Sequence, residues 1–247
     1  MTDDLRKAPG TAFLLQTRLD RDTIRSRTRP YYDPAEPFKS YPQAPKTALP
    51  RTSWQLSEAR IMKLLQRRRS IRRFAAEKIS LEDLAFLLWA GQGVTAQAGS
   101  HLLRTAPSAG ALYPIETYVS VQRVASLAAG LYHFNVRTFE LELLTKGCQG
   151  TRLAEAFLGQ SFVDHAAVCL LWSAVIGRSV GKYGDRGMRY LLLDAAHICQ
   201  NALLAAEALG LGGCPVAAFY DQEINQILAI DGIEETAIYG AAIGKKR

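Results

Sequence analysis

The spacing of apolar residues changes several times along the chain, and each change marks an element. Leu81, Leu84, Leu87 and Leu88 keep helical spacing, which predicts a helix with one buried face. Ser80 with Asp83 reads as its capping box, and Gly91 and Gly93 as its stop. A shorter helix is expected after Ser57, its N-cap, with Ile61, Leu64 and Leu65 on one face and arginines in its last turn. Residues 115–122 alternate in the manner of a strand, and residues 130–134 and 139–144 predict a hairpin around 135–138. A short helix follows over 153–158. The almost wholly apolar run 166–176 predicts a buried central strand. The longest helix is expected over 188–209. Leu191, Ala195, Ile198, Ala202 and Ala206 form its stripe, and Leu192, Cys199 and Leu203 thicken it, so burial nearly all round is predicted. Asp221 is read as the cap of a helix through Ile227, and 236–243 as a final strand.

This order of helices, hairpin and strands gives an α+β fold. The 247 residues suit one domain, placed over 54–247 and preceded by an arm over 1–53. Pro30, Pro34, Pro37, Pro42, Pro45 and Pro50 deny the second half of the arm a long helix. Tyr31, Tyr32, Phe38 and Tyr41 offer anchors, so the arm is expected to wrap over a neighbouring surface. No apolar run reaches the length of a bilayer span, and the first residues are no signal peptide; a cytoplasmic protein is expected.

Charge adds a question. Residues 1–73 carry 17 Lys+Arg against 7 Asp+Glu, and the remainder 13 against 16. Such a basic segment fits nucleic acid, an anionic cofactor or a solvated surface. No nucleic-acid-binding motif accompanies it, so nucleic acid is disfavoured. Cys148, Cys169, Cys199 and Cys214 are scattered without a Cys-x-x-Cys, and His101, His133, His165 and His197 form no His-x-x-x-His pair; no metal is expected. No glycine-rich dinucleotide fingerprint and no P-loop is present.

The chemistry points to Arg104–Glu116, a run of small residues broken by Pro107, Gly110 and Pro114 and expected between a helix and a strand. Its short side chains let a flat body approach the backbone. Upstream lies Arg67-Arg-Arg-Ser-Ile-Arg-Arg-Phe74. Downstream lies Lys182-Tyr-Gly-Asp-Arg-Gly187, followed by Arg189-Tyr-Leu-Leu-Leu-Asp-Ala-Ala-His197. In this order the three stretches resemble the nitroreductase superfamily, and within it the SagB-type dehydrogenases, which include azoline oxidases. The resemblance runs from about Thr17 to Gly244.

The resemblance implies a mostly antiparallel mixed sheet flanked by helices, in an intertwined homodimer with FMN at the subunit interface. Arg68, Ser70 and Arg72 would hold the phosphate and ribityl chain; guanidinium forks suit such an anion. Pro107, Ser108, Ala109 and Gly110 would form the slot for the ring, contributed by the second subunit. Ala217 and Ala218 would neighbour flavin N5 and O4, where many nitroreductases carry glycine or an acidic residue instead. Lys245, with Arg247, matches a basic phosphate contact or equally a solvated tail. Lys182 and Tyr183 would serve the proton-abstraction half of a dehydrogenation, with an ordinary surface loop as the alternative. Arg104 is open between a ligand contact and a structural ion pair. Two activities follow: dehydrogenation of an azoline-like heterocycle, small or peptide-borne, or reduction of nitro compounds or quinones with NAD(P)H. The absence of an extra domain to grip a leader peptide disfavours a peptide substrate.

Overall fold

The computed structural model describes residues 8–19, 35–51, 54, 56–99 and 101–247. In chain order these form α1 (Pro9–Gln16), β1 (Lys46–Ala48), α2 (Ile61–Arg67), α3 (Leu81–Gln92), β2 (Val94–Ala98), β3 (His101–Arg104), β4 (Ile115–Val121), β5 (Gly130–Asn135), β6 (Glu140–Lys146), α4 (Gly150–Ala156), β7 (Val168–Val175), α5 (Ile176–Tyr183), α6 (Gly187–Ala208), β8 (Leu211–Val216), α7 (Asp221–Leu228) and β9 (Glu235–Lys245). Seven strands make one sheet in the order β1-β6-β5-β4-β7-β9-β8, antiparallel between all neighbours. At its β8 edge, Ser70 adds a parallel bridge to Gly213.

Helices cover both faces, so the central strands have no solvent side. On one face Leu84 and Leu88 of α3 and Leu191 and Ile198 of α6 share a core with Val119, Leu170 and Trp172. On the other, Leu153 and Phe157 pack with Ile224 and Leu228 of α7 against Leu131, Leu171 and Ala242. Every residue of β4 is buried as a result. The capping box of α3 is present, with Asp83 N donating to Ser80 Oγ and Ser80 N to Asp83 Oδ2. Leu84 is fully buried on this helix, and truncating it to alanine would cost about 2–5 kcal/mol.

Several expectations change. Ser57 does not cap α2, where Arg60 holds the N-cap position. Its Oγ and N both donate to Ala208 O, at 2.6 and 2.7 Å, closing one of the carbonyls that every helix end leaves unpaired. Asp221 likewise lies inside the first turn of α7, with Tyr220 at the cap. Of the proposed α2 face only Leu64 is buried; Ile61 and Leu65 are exposed. Helix α6 is buried along its stripe, yet Leu192 and Leu193 are 52% and 56% exposed, so it is not enclosed all round. The run 104–116 follows a β2–β3 hairpin rather than a helix. Helix α5 was not anticipated: Ile176, Val180 and Tyr183 have helical spacing, but Gly177 and Gly181 lower its intrinsic propensity. The described part of the arm supplies β1, which pairs with β6 at the sheet edge.

Candidate active site

Between Arg104 and Ile115 the chain makes a tight 3₁₀ turn over 109–111. Gly110, Ala111 and Tyr113 have φ of 64°, 54° and 46°. Left-handed backbone costs a non-glycine residue about 1–3 kcal/mol and persists only where the surroundings hold it. Here the surroundings do. Ser108 Oγ donates to Asp194 Oδ2 at 2.5 Å and accepts from Tyr113 N at 2.9 Å. The Ala109 amide also donates to Asp194. Tyr113 OH accepts from Arg104 N at 3.1 Å, and its carbonyl accepts from Arg178 Nη1 at 3.2 Å. Asp194 is buried in α6. Burial pushes its carboxyl pKa up, opposed by the hydrogen bonds from Ser108 and Ala109 and by His197.

Lys182 and Tyr183 form the last turn of α5, not a loop. They meet the turn directly: a Cβ built on Gly110 would lie 2.5 Å from Tyr183 OH and 2.8 Å from Lys182 Nζ. Only a glycine leaves room for both tips there. The Tyr183 ring packs edge-on against Tyr190, with centroids 4.9 Å apart at 85°. Helix α5 is anchored by Arg178, whose Nη1 donates to Glu116 Oε1 at 2.6 Å and whose Nε donates to Glu36 O at 2.6 Å.

Glu116 belongs to a buried charged cluster beneath this wall. His133 is fully buried, with Nδ1 2.9 Å from Glu142 Oε2 and Nε2 3.0 Å from Glu116 Oε2. Carboxylates only accept, so both ring nitrogens carry protons. Burial alone would lower the His133 pKa; hydrogen bonds to Glu116 and Glu142 and their charges outweigh it and raise the value. For Glu116 and Glu142 burial acts upward and is outweighed by His133, by Arg178 at Glu116 and by Asn135 and Tyr41 N at Glu142, leaving both lowered. Arg104 forms no ion pair among the described residues; its Nη1 donates to Gln92 Oε1 at 2.5 Å and the guanidinium lies 4.5 Å from the Tyr113 ring centroid. Burial brings its pKa down to about 10 despite Glu116.

The other predicted residues gather at the β8 edge. Arg68 caps α2, Ser70 bridges to Gly213, and Arg72 lies over the Phe162 ring at 5.8 Å. Lys245 pairs with Leu211, and Ala217 and Ala218 follow β8 as exposed residues. Ser70 hydrogen-bonds with Cys214, and the charges of Arg72 and Arg68 act on Cys214 and on Cys199 of α6 respectively. One chain thus presents two clusters, a basic one at β8 and a turn-plus-Lys-Tyr one at Asp194. Cys199 and Asp194 stand five residues apart on α6, about 7.5 Å along the helix.

Asp194, Tyr113 and Arg178 escaped the reading of the sequence. Asp194 did leave a signal, as a carboxylate set among the apolar positions of α6 one residue before Ala195. Tyr113 and Arg178 left none, because their partners, backbone groups and the Glu116 carboxylate, are brought together only by folding.

A model of the nitroreductase family matches residues 65–245. The chain belongs to this family. It is an oxidoreductase. A candidate nitroreductase of Methanocaldococcus jannaschii is 38% identical over 71% of this chain and 87% of its own length. The trifolitoxin-processing protein of Rhizobium leguminosarum bv. trifolii is 31% identical over 57% of this chain, a stretch spanning only 39% of that protein. A crystal structure of a candidate nitroreductase from Anabaena variabilis superposes with a TM-score of 0.75 at 25% identity, covering 96% of this chain and 47% of that one. Among the described residues no helix is long and apolar enough to cross a membrane.

Proposed function

We propose that the protein is an FMN-dependent dehydrogenase of SagB type that oxidises an azoline-like heterocycle. The observation that carries this is the contact of Gly110 with the tips of Lys182 and Tyr183. A shelf of small residues and a proton-handling pair face the same space. The chain's residues fit the cofactor on two counts. The turn over 107–110 carries short side chains and, at Gly110, none, and Arg68 and Arg72 form no ion pair among the described residues, leaving their guanidinium forks for a phosphate. The relationship to a trifolitoxin-processing protein favours this reading.

When bound, FMN supplies a hydride acceptor. Ser70 would join Arg68 and Arg72 on the phosphate, with Lys245 beside them and Ala217 and Ala218 along the ring edge. Pro107, Ser108, Ala109 and Gly110, locked by Asp194, would wall the ring of the cofactor held by a partner subunit. Tyr183, as its phenolate, takes the substrate proton and becomes the neutral phenol, and the Lys182 ammonium stands beside the negative charge that the oxygen carries before the transfer. Exposed Ile61, Met62 and Leu65 on α2 and Leu192 and Leu193 on α6, two helices that touch, support a homodimer that covers them. The described part of the arm would serve as a wrap on the 54–247 domain, while Pro30, Tyr31, Tyr32 and Pro34 lie outside the described residues. The described part is tied down by Lys39 to Tyr118 OH at 2.8 Å and to Glu235.

The relationship to the archaeal candidate nitroreductase favours a second reading, reduction of nitro compounds or quinones by NAD(P)H. Extraction and identification of the bound cofactor, followed by anaerobic mixing, separates the two. FMN bleached by a small 2-aryl-thiazoline and only slowly by NADH or NADPH supports the dehydrogenase. Rapid bleaching by NAD(P)H with none by the thiazoline supports the reductase, and a colourless protein that takes up no FMN refutes both.

A further inference from the structure

We propose that Arg186 and Tyr190 are positioning residues for Tyr183, and that helix α1 fixes them in place; this rests on the proton-transfer role just given to Tyr183. Tyr183 ends its helix and is followed by Gly184 at φ 59°, so the backbone beyond it does not continue the helical restraint. Its ring is held from the side by Tyr190, edge to face. Tyr190 is itself held by its hydroxyl, which accepts from Arg186 Nε at 2.8 Å. Another arm of the same guanidinium, Nη1, donates to Thr17 O at 2.7 Å. The planar fork of arginine fixes the geometry between two acceptors, so the Tyr190 ring is tied to the end of α1.

The α1 end is a firm anchor. Thr17 is 1% exposed. Its Oγ1 donates to Phe13 O at 2.6 Å and accepts from Arg189 Nε at 2.7 Å, while Arg189 Nη2 donates to Leu14 O. Helix α1 has no basic residue in its own last turn, and the carbonyls it leaves open are closed by two arginines from the far side of the site. A continuous run of contacts therefore leads from Thr17 through Arg186 and Tyr190 to the Tyr183 ring, whose hydroxyl abuts Gly110. Neither Arg186 nor Tyr190 takes part in an ion pair among the described residues. Arg186 spends its charge on two neutral acceptors, an arrangement suited to holding a ring at a set angle.

The test uses full-length, FMN-loaded protein with 3-fluorotyrosine at position 183, read by fluorine NMR and by oxidation of the 2-aryl-thiazoline. Arg186→Gln should shift or broaden the fluorotyrosine resonance through the moved Tyr190 ring. It should lower kcat about tenfold while KM, FMN content and Tm stay near wild type, and Arg186→Lys should recover part of the rate. Tyr190→Phe, a milder change that keeps the ring, should act in the same direction. In a Tyr183→Phe background Arg186→Gln should add nothing, because the group it positions is gone. An unmoved resonance, or a loss that multiplies on top of Tyr183→Phe, overturns the positioning role. If Tyr183→Phe alone oxidises the thiazoline at the wild-type rate, the proton-transfer reading fails instead, and the fluorine resonance still reports whether Arg186 orients the ring.

Discussion

Replacing Gly110 with alanine separates the chemistry of the site from the stability of the fold. Two effects are superposed at this position. The first is backbone strain: φ is 64°, and an L-residue there costs about 1–2 kcal/mol. In a domain of this size each kcal/mol lowers Tm by about 2–4 °C, so a drop of roughly 2–8 °C is expected. The second effect is steric. The new Cβ would stand 2.5 Å from Tyr183 OH and 2.8 Å from Lys182 Nζ, and these are side-chain tips, so they yield before any backbone does. Restoring ordinary contact moves them by roughly 0.5–1 Å, and misplacement on that scale costs a reaction about 10²-fold. Gly159→Ala supplies the control, since Gly159 has φ of 72° and its Cβ would meet nothing within 4 Å. Both variants should lose similar Tm by differential scanning fluorimetry. Only Gly110→Ala should lose thiazoline oxidation. Equal activity in the two variants would refute the claim that Gly110, Lys182 and Tyr183 share one working space.

Other consequences are as specific. Arg68→Ala with Arg72→Ala should weaken FMN binding more than tenfold, measured by flavin fluorescence quenching, since charge-assisted contacts are worth about 1.5–3 kcal/mol each; retention of stoichiometric FMN through dialysis would contradict it. Asp194→Ala removes the acceptor for Ser108 Oγ and Ala109 N, releasing the strained turn, so thiazoline turnover should fall while the sheet, followed by far-UV circular dichroism, stays intact. The His133 cluster sets a pH window. The His133 pKa is raised, so its stabilisation is complete below about 6.5 and is lost as pH rises through the folded value. Those of Glu116 and Glu142 are lowered, so their contribution is present above about 4.3 and lost as pH falls through their folded values. Tm should therefore decline on both sides of this window. His133→Leu should abolish the alkaline decline and lower Tm throughout, at about 3–5 kcal/mol for the stranded carboxylates.

What could be read from the sequence was what local rules govern. The Ser80–Asp83 capping box and the stripe of α6 are set by residues three or four apart, and both are present. The central strand showed itself because burial on both faces removes nearly every polar position, Ser173 being the exception. Ser57 was misread because its choice of partner lay in space, at the end of α6, rather than in the next turn. Helix α5 was hidden by its glycines, and one of them, Gly181, directly precedes the Lys-Tyr pair that the helix carries. The motif Pro-Ser-Ala-Gly was visible as a small-residue turn, but not the two-way bond of Ser108 that holds it. The buried His133 left no trace, because each of its carboxylate partners comes from a separate strand.

The central claim is that Tyr183, with Lys182, handles the proton in a dehydrogenation at this cradle. Anaerobic stopped-flow mixing of FMN-loaded wild type and Tyr183→Phe with the 2-aryl-thiazoline, followed by flavin absorbance, tests it directly. Bleaching in Tyr183→Phe should be about 10²–10⁴-fold slower, while reoxidation of dithionite-reduced protein by menadione proceeds at the wild-type rate. Equal bleaching rates in the two proteins would contradict the account.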